Sequence, residues 1–425
     1  MRFLSAFLFS LFILSTSASF VLAAELTDLY QAEVDANQSQ SAWQQAAFAA
    51  VLLKLTGSDA IMANSQVQAE LKQAGNYVKQ YQMVQRDGRN LLVVSLDQQK
   101  ITALLAQQQV PVWGSRRPDV LVWLTEKTLA EPKFVLENQH PLRTNLMQQA
   151  KKYGLSFIYP LYDVDDLALL NESSVWAGDW AALGTASIRY KAERVQNLLV
   201  EQLQDATGQL QYRLIRQQQQ DGQLQQQEFT AADIPSLMAQ FSAALASELS
   251  AQYAVNLHQQ NTVTAEGQLQ LTIAGVTSLT DLVQVQKIFA SMLTVRQHQL
   301  VSFSQQQAVI ALQLTATEAD FYRALALEKK LQPEQAPAAI QPNNEALQRP
   351  ATEPGADEAA NNSASTLTAA EQAMEQALGA EEPTAATTES VAELQIQEQQ
   401  TNSGTVANSG TTTAVISTFY RYIKP

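Results

Sequence analysis

The chain has 425 residues, 27 of them basic and 41 acidic, for a formal charge of −14, and it contains no cysteine. The missing thiols exclude disulfide frameworks, Cys-ligated zinc, iron–sulfur ligation and a lipid-modified N-terminal Cys. The negative balance argues against nucleic acid, whose binding rests on Lys and Arg neutralising phosphates; only 16% of residues are charged, and 56 glutamines supply much of the remaining polarity.

The first 24 residues read as an address. Arg2 supplies a positive charge, residues 3–14 are almost wholly apolar, and Val21-Leu22-Ala23-Ala24 fits a small-residue cleavage pattern. The apolar run is shorter than the ~20 residues that a spanning helix needs. The expected localisation is the periplasm, by a cleaved signal peptide. The lack of Cys suits an oxidising compartment.

Three small modules are expected to follow in tandem. Residues 25–110 read as an α+β unit of order βααββα. In it 29–34 form a strand, and Ser41 with Gln44 form a capping-box pattern. Phe48, Val51, Leu52 and Leu55 share one helix face, and Gly57 stands where that helix must end. Strands 77–85 and 90–96 flank the hairpin signal Asp87-Gly88.

Residues 111–255 read as an α/β unit with a partly parallel sheet. Residues 120–124 are a continuously apolar, doubly buried strand, 142–153 a helix ended by Gly154, and 157–159 a second short strand. Strand, helix, strand suggests a parallel βαβ crossover. A strand over 195–203, a hairpin about Asp221-Gly222 and a helix over 234–253 complete the module.

Residues 266–331 read as a βαββα unit. Leu269, Leu271 and Ile273 alternate as in a strand, and Ser278 with Asp281 and Thr317 with Asp320 mark two helix starts. Composition then breaks. From residue 331 to the end there are twelve acids against three bases, a balance of −9, with few large apolar side chains. Residues 332–413 are therefore expected to be disordered. Residues 414–425 turn aromatic and β-prone again; they add a strand to a partner's sheet edge, fold back onto their own domain, or fray.

Chemistry-bearing clusters are scarce. His140, His258 and His298 lie far apart with no metal-ligand spacing, and His140-Pro141 suits a helix start. Nucleophile elbows, Ser-x-x-Lys pairs, Walker loops and Gly-x-Gly-x-x-Gly fingerprints are missing from the sequence. Asp163, Asp165 and Asp166 follow a strand of the α/β unit, where such folds bind ligands; a solvated turn or helix cap is the plainer meaning. Trp113 with Arg116 and Arg117 joins the first two modules, either as an interaction hot spot or as a packed seam with Arg stacked on Trp. Trp176 and Trp180 either line a groove or fold onto the sheet. The expected candidate interaction surface is thus Trp113, Arg116, Arg117, Asp163, Asp165, Trp176 and Trp180, with no catalytic residue, metal or cofactor expected.

Residues 29–34, 46–57, Val110 to Gly114 with Arg116-Arg117-Pro118, 120–124, 158–166 and Val175-Trp176 together resemble exported Gram-negative proteins called domain of unknown function 2066. The resemblance spans about residues 25–254. It implies no activity, cofactor or site residue. The Gln-rich hairpin 217–227 and the long acidic tail depart from it. Taken together, the sequence points to a non-enzymatic adaptor that binds another cell-envelope protein. The alternatives are a small-ligand or glycan binder using the cleft near Asp163 and Trp176, and a hydrolase with Asp165 or Asp166 as general base.

Overall fold

The computed structural model describes residues 29–334 and 418–424, except 87, 129–130, 205–206, 221 and 258–268. The signal-like leader, the bulk of the acidic tail, His258 and the Asp residues of both hairpin turns lie outside the described residues. The described residues fall in one compact unit, residues 1–336 with 415–425. Its class is mixed α+β, as expected, with three separate sheets.

The first sheet is antiparallel, in the order β1 (Gln31–Asp35), β3 (Arg89–Leu96), β2 (Val78–Arg86). Helices α1 (Gln40–Thr56), α2 (Ser65–Leu71) and α3 (Gln98–Gln107) complete it. The N-cap of α1 is Ser39, whose Oγ accepts the Ala42 N–H, so the helix begins two residues before the expected Ser41 box. Gly57 closes the same helix at φ 66°, a left-handed conformation that glycine adopts without a Cβ penalty. Phe48, Val51, Leu52 and Leu55 are fully buried, as their spacing requires. Leu53, on the opposite side of α1, enters the core of the second module instead.

The second sheet has six strands. β5 (Lys133–Phe134) and β6 (Ser156–Ile158) flank one side of β4 (Asp119–Lys127). On the other side the order is β7 (Arg194–Gln204), β8 (Leu210–Gln220), β9 (Gln223–Ala231). β4 runs parallel to β6 and β7, and the rest is antiparallel. The uninterrupted apolar run in β4 is explained by its two covered faces. Val120, Val122 and Leu124 meet α4 (Pro141–Tyr153) and α8 (Ile234–Tyr253). Leu121 and Trp123 meet the other side, under α5 (Val164–Leu169), α6 (Glu172–Trp176) and α7 (Trp180–Ser187). Those three short helices occupy a stretch that the sequence presents as loop. They are marked only by caps: Asp163, Asn171 and Asp179 each accept a backbone N–H of the turn that follows.

The third sheet has the order β11 (Val295–Ser304), β12 (Gln307–Leu314), β10 (Leu269–Ala274), β14 (Thr418–Tyr422), β13 (Leu331–Pro333). Helices α9 (Leu279–Ala290) and α10 (Glu318–Leu325) cover it. The expected caps are present: Ser278 and Asp281 form a reciprocal box, and Thr317 Oγ1 accepts the Asp320 N–H at 3.2 Å. Gln332 and Pro333 belong to β13, so the structured chain extends slightly past the expected tail boundary.

The open question of the C-terminus is answered by β14. This strand sits inside the sheet, parallel to β10 and antiparallel to β13. Tyr420 and Tyr422 enter the core. Ile423 N–H donates to the Lys330 carbonyl at 2.8 Å, and Glu334 N–H to the Phe419 carbonyl at 2.9 Å. The sheet is therefore completed by a segment that returns after residues 335–417.

Candidate functional site

The segment between α3 and β4 is the junction of all three modules. Val112 bridges Val255, and Trp113 N–H donates to the Leu55 carbonyl at the end of α1, 2.7 Å away. These bonds direct the Trp113 ring into the second core, where it is 1% exposed. Arg117 stacks on it, the guanidinium carbon 3.6 Å from the ring centroid. Its Nη2 donates to the carbonyls of Lys54 (2.8 Å) and Trp113 (3.1 Å). Arg117 is 2% exposed, and burial lowers the pKa of its guanidinium. Trp113 Nε1 and Arg117 Nε and Nη1 have no hydrogen-bond partner among the described residues. The expected exposed hot spot is thus corrected at these two positions: Trp113 and Arg117 are seam residues, joined by the cation–π stack that was the other expectation.

Arg116 points the opposite way and fastens the third module. Its Nε donates to Glu328 at 2.9 Å, and its Nη2 to the Ile288 carbonyl and Ser291 Oγ at 3.1 Å each. Beside it, buried Asp119 accepts from Lys329 and from Ser156 Oγ. A cavity of about 30 Å³ lies in this seam, lined in part by Gly114, Arg116, Tyr253, Thr294 and Leu327. Buried Thr294 Oγ1 has no partner among the described residues. The space suits one ordered water.

Asp163 and Asp165 lie on the far side of the second sheet. Asp163 caps α5 and receives a bidentate contact from Arg189, at 2.7 and 3.0 Å. That hydrogen-bonded pair holds its carboxyl below the ordinary carboxylate pKa. Asp165 is exposed, its carboxylate 3.7 Å from the same guanidinium. Asp166, which stands outside the expected interaction surface, is the buried member. It accepts from Tyr190 Oη (2.5 Å), Tyr162 N–H (2.9 Å) and Arg189 (3.3 Å). Burial, and then the bond to Asp166, push the Tyr190 phenol pKa up. The three aspartates hold a helix start and Arg189 in place. Among the described residues no group of three or more His, Asp or Glu side chains forms a metal site.

Trp176 and Trp180 end α6 and begin α7. Lys127 stands 5.6 Å from the Trp176 ring, and Trp180 Nε1 donates to Gln219 Oε1 at 2.9 Å. Both rings pack against the core on the opposite face of the sheet from Trp113. The seven expected site residues therefore form no common surface: Trp113 and Arg117 fill the seam, Arg116 fastens the third module, and Asp163, Asp165, Trp176 and Trp180 lie on the far face of the second sheet. His140 is the N-cap of α4, its Nδ1 accepting the Leu142 N–H at 3.3 Å, and His298 lies on β11.

One polar cluster was missed. Arg216 on β8 is almost wholly buried. It donates to Gln196 (2.6 Å), Gln218 (2.7 Å), Glu248 (2.6 Å) and Gln227 (3.3 Å). Gln218 donates in turn to Gln225 at 3.3 Å. A cleft of about 240 Å³ is lined by Arg216, Gln218, Gln225, Gln226, Gln227 and Glu248. The signal was the glutamine run itself: a strand alternating toward a helix carries Arg216 and Gln218 onto one face.

Among the described residues no helix is long and apolar enough to cross a membrane. No curated protein and no solved structure matches the chain. The family model described as Domain of unknown function (DUF8605) matches residues 23–114, the first sheet and the approach to the junction, and so replaces the resemblance to domain of unknown function 2066.

Proposed function

We propose that the chain is an exported, non-enzymatic adaptor of the cell envelope that binds a partner protein carrying a basic surface. One observation carries this reading: β13 and β14 are neighbours in the third sheet, while residues 335–417 lie between them in sequence. Those residues hold eleven acids and one base, a balance of −10. A polyanionic stretch fixed at both ends to a folded body is a long-range attractor for cations and favours rapid encounter. The signal-like leader supports placing the protein beyond the inner membrane.

The test is cross-linking in envelope extract. The mature chain is compared with a version in which residues 340–412 are replaced by a neutral Gly/Ser linker that retains β14. The expected result is one predominant basic partner, captured by the first and lost from the second. That capture should also weaken as salt rises. Equal capture by both versions would overturn the reading. So would turnover of a cell-wall compound by the purified chain, abolished by Asp166→Asn.

A further inference from the structure

The Gln-rich hairpin ends one sheet. β9 is the last strand of the six-stranded sheet, and its outer edge is uncovered among the described residues. Long exposed edges are normally blunted by Lys, Pro or bulges, because their unpaired N–H and C=O groups recruit other strands. The other long edge strands obey that rule. β2 carries Lys79 and Arg86 and a register shift at Val78/Gln80. β11 carries Arg296 and two register shifts, at Val295/Gln297 and Leu300/Ser302. β9 reads QLQQQEFTA, with neither base nor proline, and pairs with β8 in unbroken register from Ala231 to Gln223.

Which backbone groups face outward follows from the turn. Gln220 and Gln223 close a two-residue loop, so they exchange both hydrogen bonds, and the pattern alternates from there. Leu224, Gln226, Glu228 and Thr230 therefore aim their N–H and C=O away from β8. The Thr230 carbonyl is already taken by Gln240 Nε2, 3.3 Å away. The outward groups of Leu224, Gln226 and Glu228 have no partner among the described residues. The strand is also stiffened from behind, since Arg216 holds Gln227 and Gln218 holds Gln225. A pre-organised edge loses little entropy on pairing.

We infer that the β9 edge is a self-association site, at which two copies of this chain pair β9 antiparallel about a two-fold axis at Gln226. In that register Gln226 faces Gln226 of the second copy and Leu224 faces Glu228, and each such pair exchanges two backbone hydrogen bonds. The intervening Gln225 and Gln227 side chains meet each other. Glutamine both donates and accepts, so a glutamine strand is complementary to itself. Glu228 is the strand's one charge, and this register sets it opposite leucine, avoiding like-charge opposition. The inference stands apart from the adaptor reading and needs no envelope partner.

The experiment is sedimentation velocity on the mature full-length chain over roughly 1–200 µM. Alongside it, hydrogen exchange is read at the amides of 224, 226 and 228. The expected result is a concentration-dependent dimer with matching protection of those amides. Gln226→Lys sets two ammonium groups against each other on the axis and should weaken the dimer about two- to fivefold. Gln226→Pro removes an outward N–H and leaves the β8 ladder intact; it should give monomer with unchanged circular dichroism. A monomer at every concentration overturns the inference, as does a dimer indifferent to both substitutions. Protection that is independent of concentration and strengthened by Gln226→Lys would assign the edge to an acidic segment of the same chain and would overturn it too.

Discussion

Replacing Gly57 by alanine probes the seam between the first two modules. Two separate costs are involved. The residue has φ +66°, where an L side chain pays about 1–2 kcal/mol. A Cβ built there would also lie 2.6 Å from Ser250 Cβ, 2.8 Å from Ser250 Oγ and 2.9 Å from the Ala246 carbonyl, all on α8. Two of those three atoms, Ser250 Cβ and the Ala246 carbonyl, are fixed by the α8 backbone, and the third is the Ser250 hydroxyl, bonded to the Ser247 carbonyl. Overpacking of this kind costs about 1–3 kcal/mol, for a total of about 2–5 kcal/mol. Gly88 supplies the control, because it has φ +73° with nothing within 4 Å of its Cβ position. Gly88→Ala therefore pays the first cost alone, about 1–2 kcal/mol. The assay is thermal unfolding by calorimetry. At roughly 2 °C per kcal/mol for a unit of this size, Gly57→Ala should lower Tm by about 4–10 °C and Gly88→Ala by about 2–4 °C. Equal losses in the two variants would refute the packing of α1 against α8.

Gly275→Ala should expel the last strand, because φ is +79° and the added Cβ would lie 2.9 Å from the Tyr422 carbonyl; limited proteolysis should then trim the C-terminus, and an unchanged digestion pattern would contradict the seat of β14. Arg117→Met should leave the unfolding free energy within about 1 kcal/mol or raise it, since it removes a buried cation that has no carboxylate partner among the described residues; a loss beyond about 3 kcal/mol would show that its two carbonyl contacts dominate. Acid should loosen the third module. Burial works against the charged Asp281 carboxyl, but hydrogen bonds from Lys424, Thr277 and Ser278 outweigh it and hold the pKa well below the ordinary 3.8. A depressed carboxylate contributes stability that is complete above the unfolded value and is lost as pH falls below it. Asp281→Asn should accordingly flatten the fall in unfolding midpoint below about pH 4, and an identical fall in both proteins would contradict the assignment.

Much of the architecture was readable from local signals. The helix face of Phe48, Val51, Leu52 and Leu55 and the doubly buried run in β4 have one packing solution each, so pattern specifies place. Ser278 with Asp281 and Thr317 with Asp320 gave helix starts correctly because a cap is a contact between near neighbours. The stretch 164–187 was not readable, since helices of five to eight residues bury one to three positions each and leave little periodicity. The direction of Trp113 was undetermined for a different reason. Whether a junction Trp faces solvent or core depends on Leu55 and Val255, which are remote in sequence. The seat of β14 likewise depends on a gap between β10 and β13 that no local pattern announces.

The adaptor reading rests on the chain closing upon itself, so that residues 335–417 begin and end in one sheet. Hydrogen exchange on the intact mature protein measures this at the amides of Phe419, Tyr420, Arg421 and Tyr422. Ladder positions inside β14 should exchange as slowly as those of β10, through the same global opening. Exchange of all four at the rate of an unstructured peptide, while β10 stays protected, would contradict it.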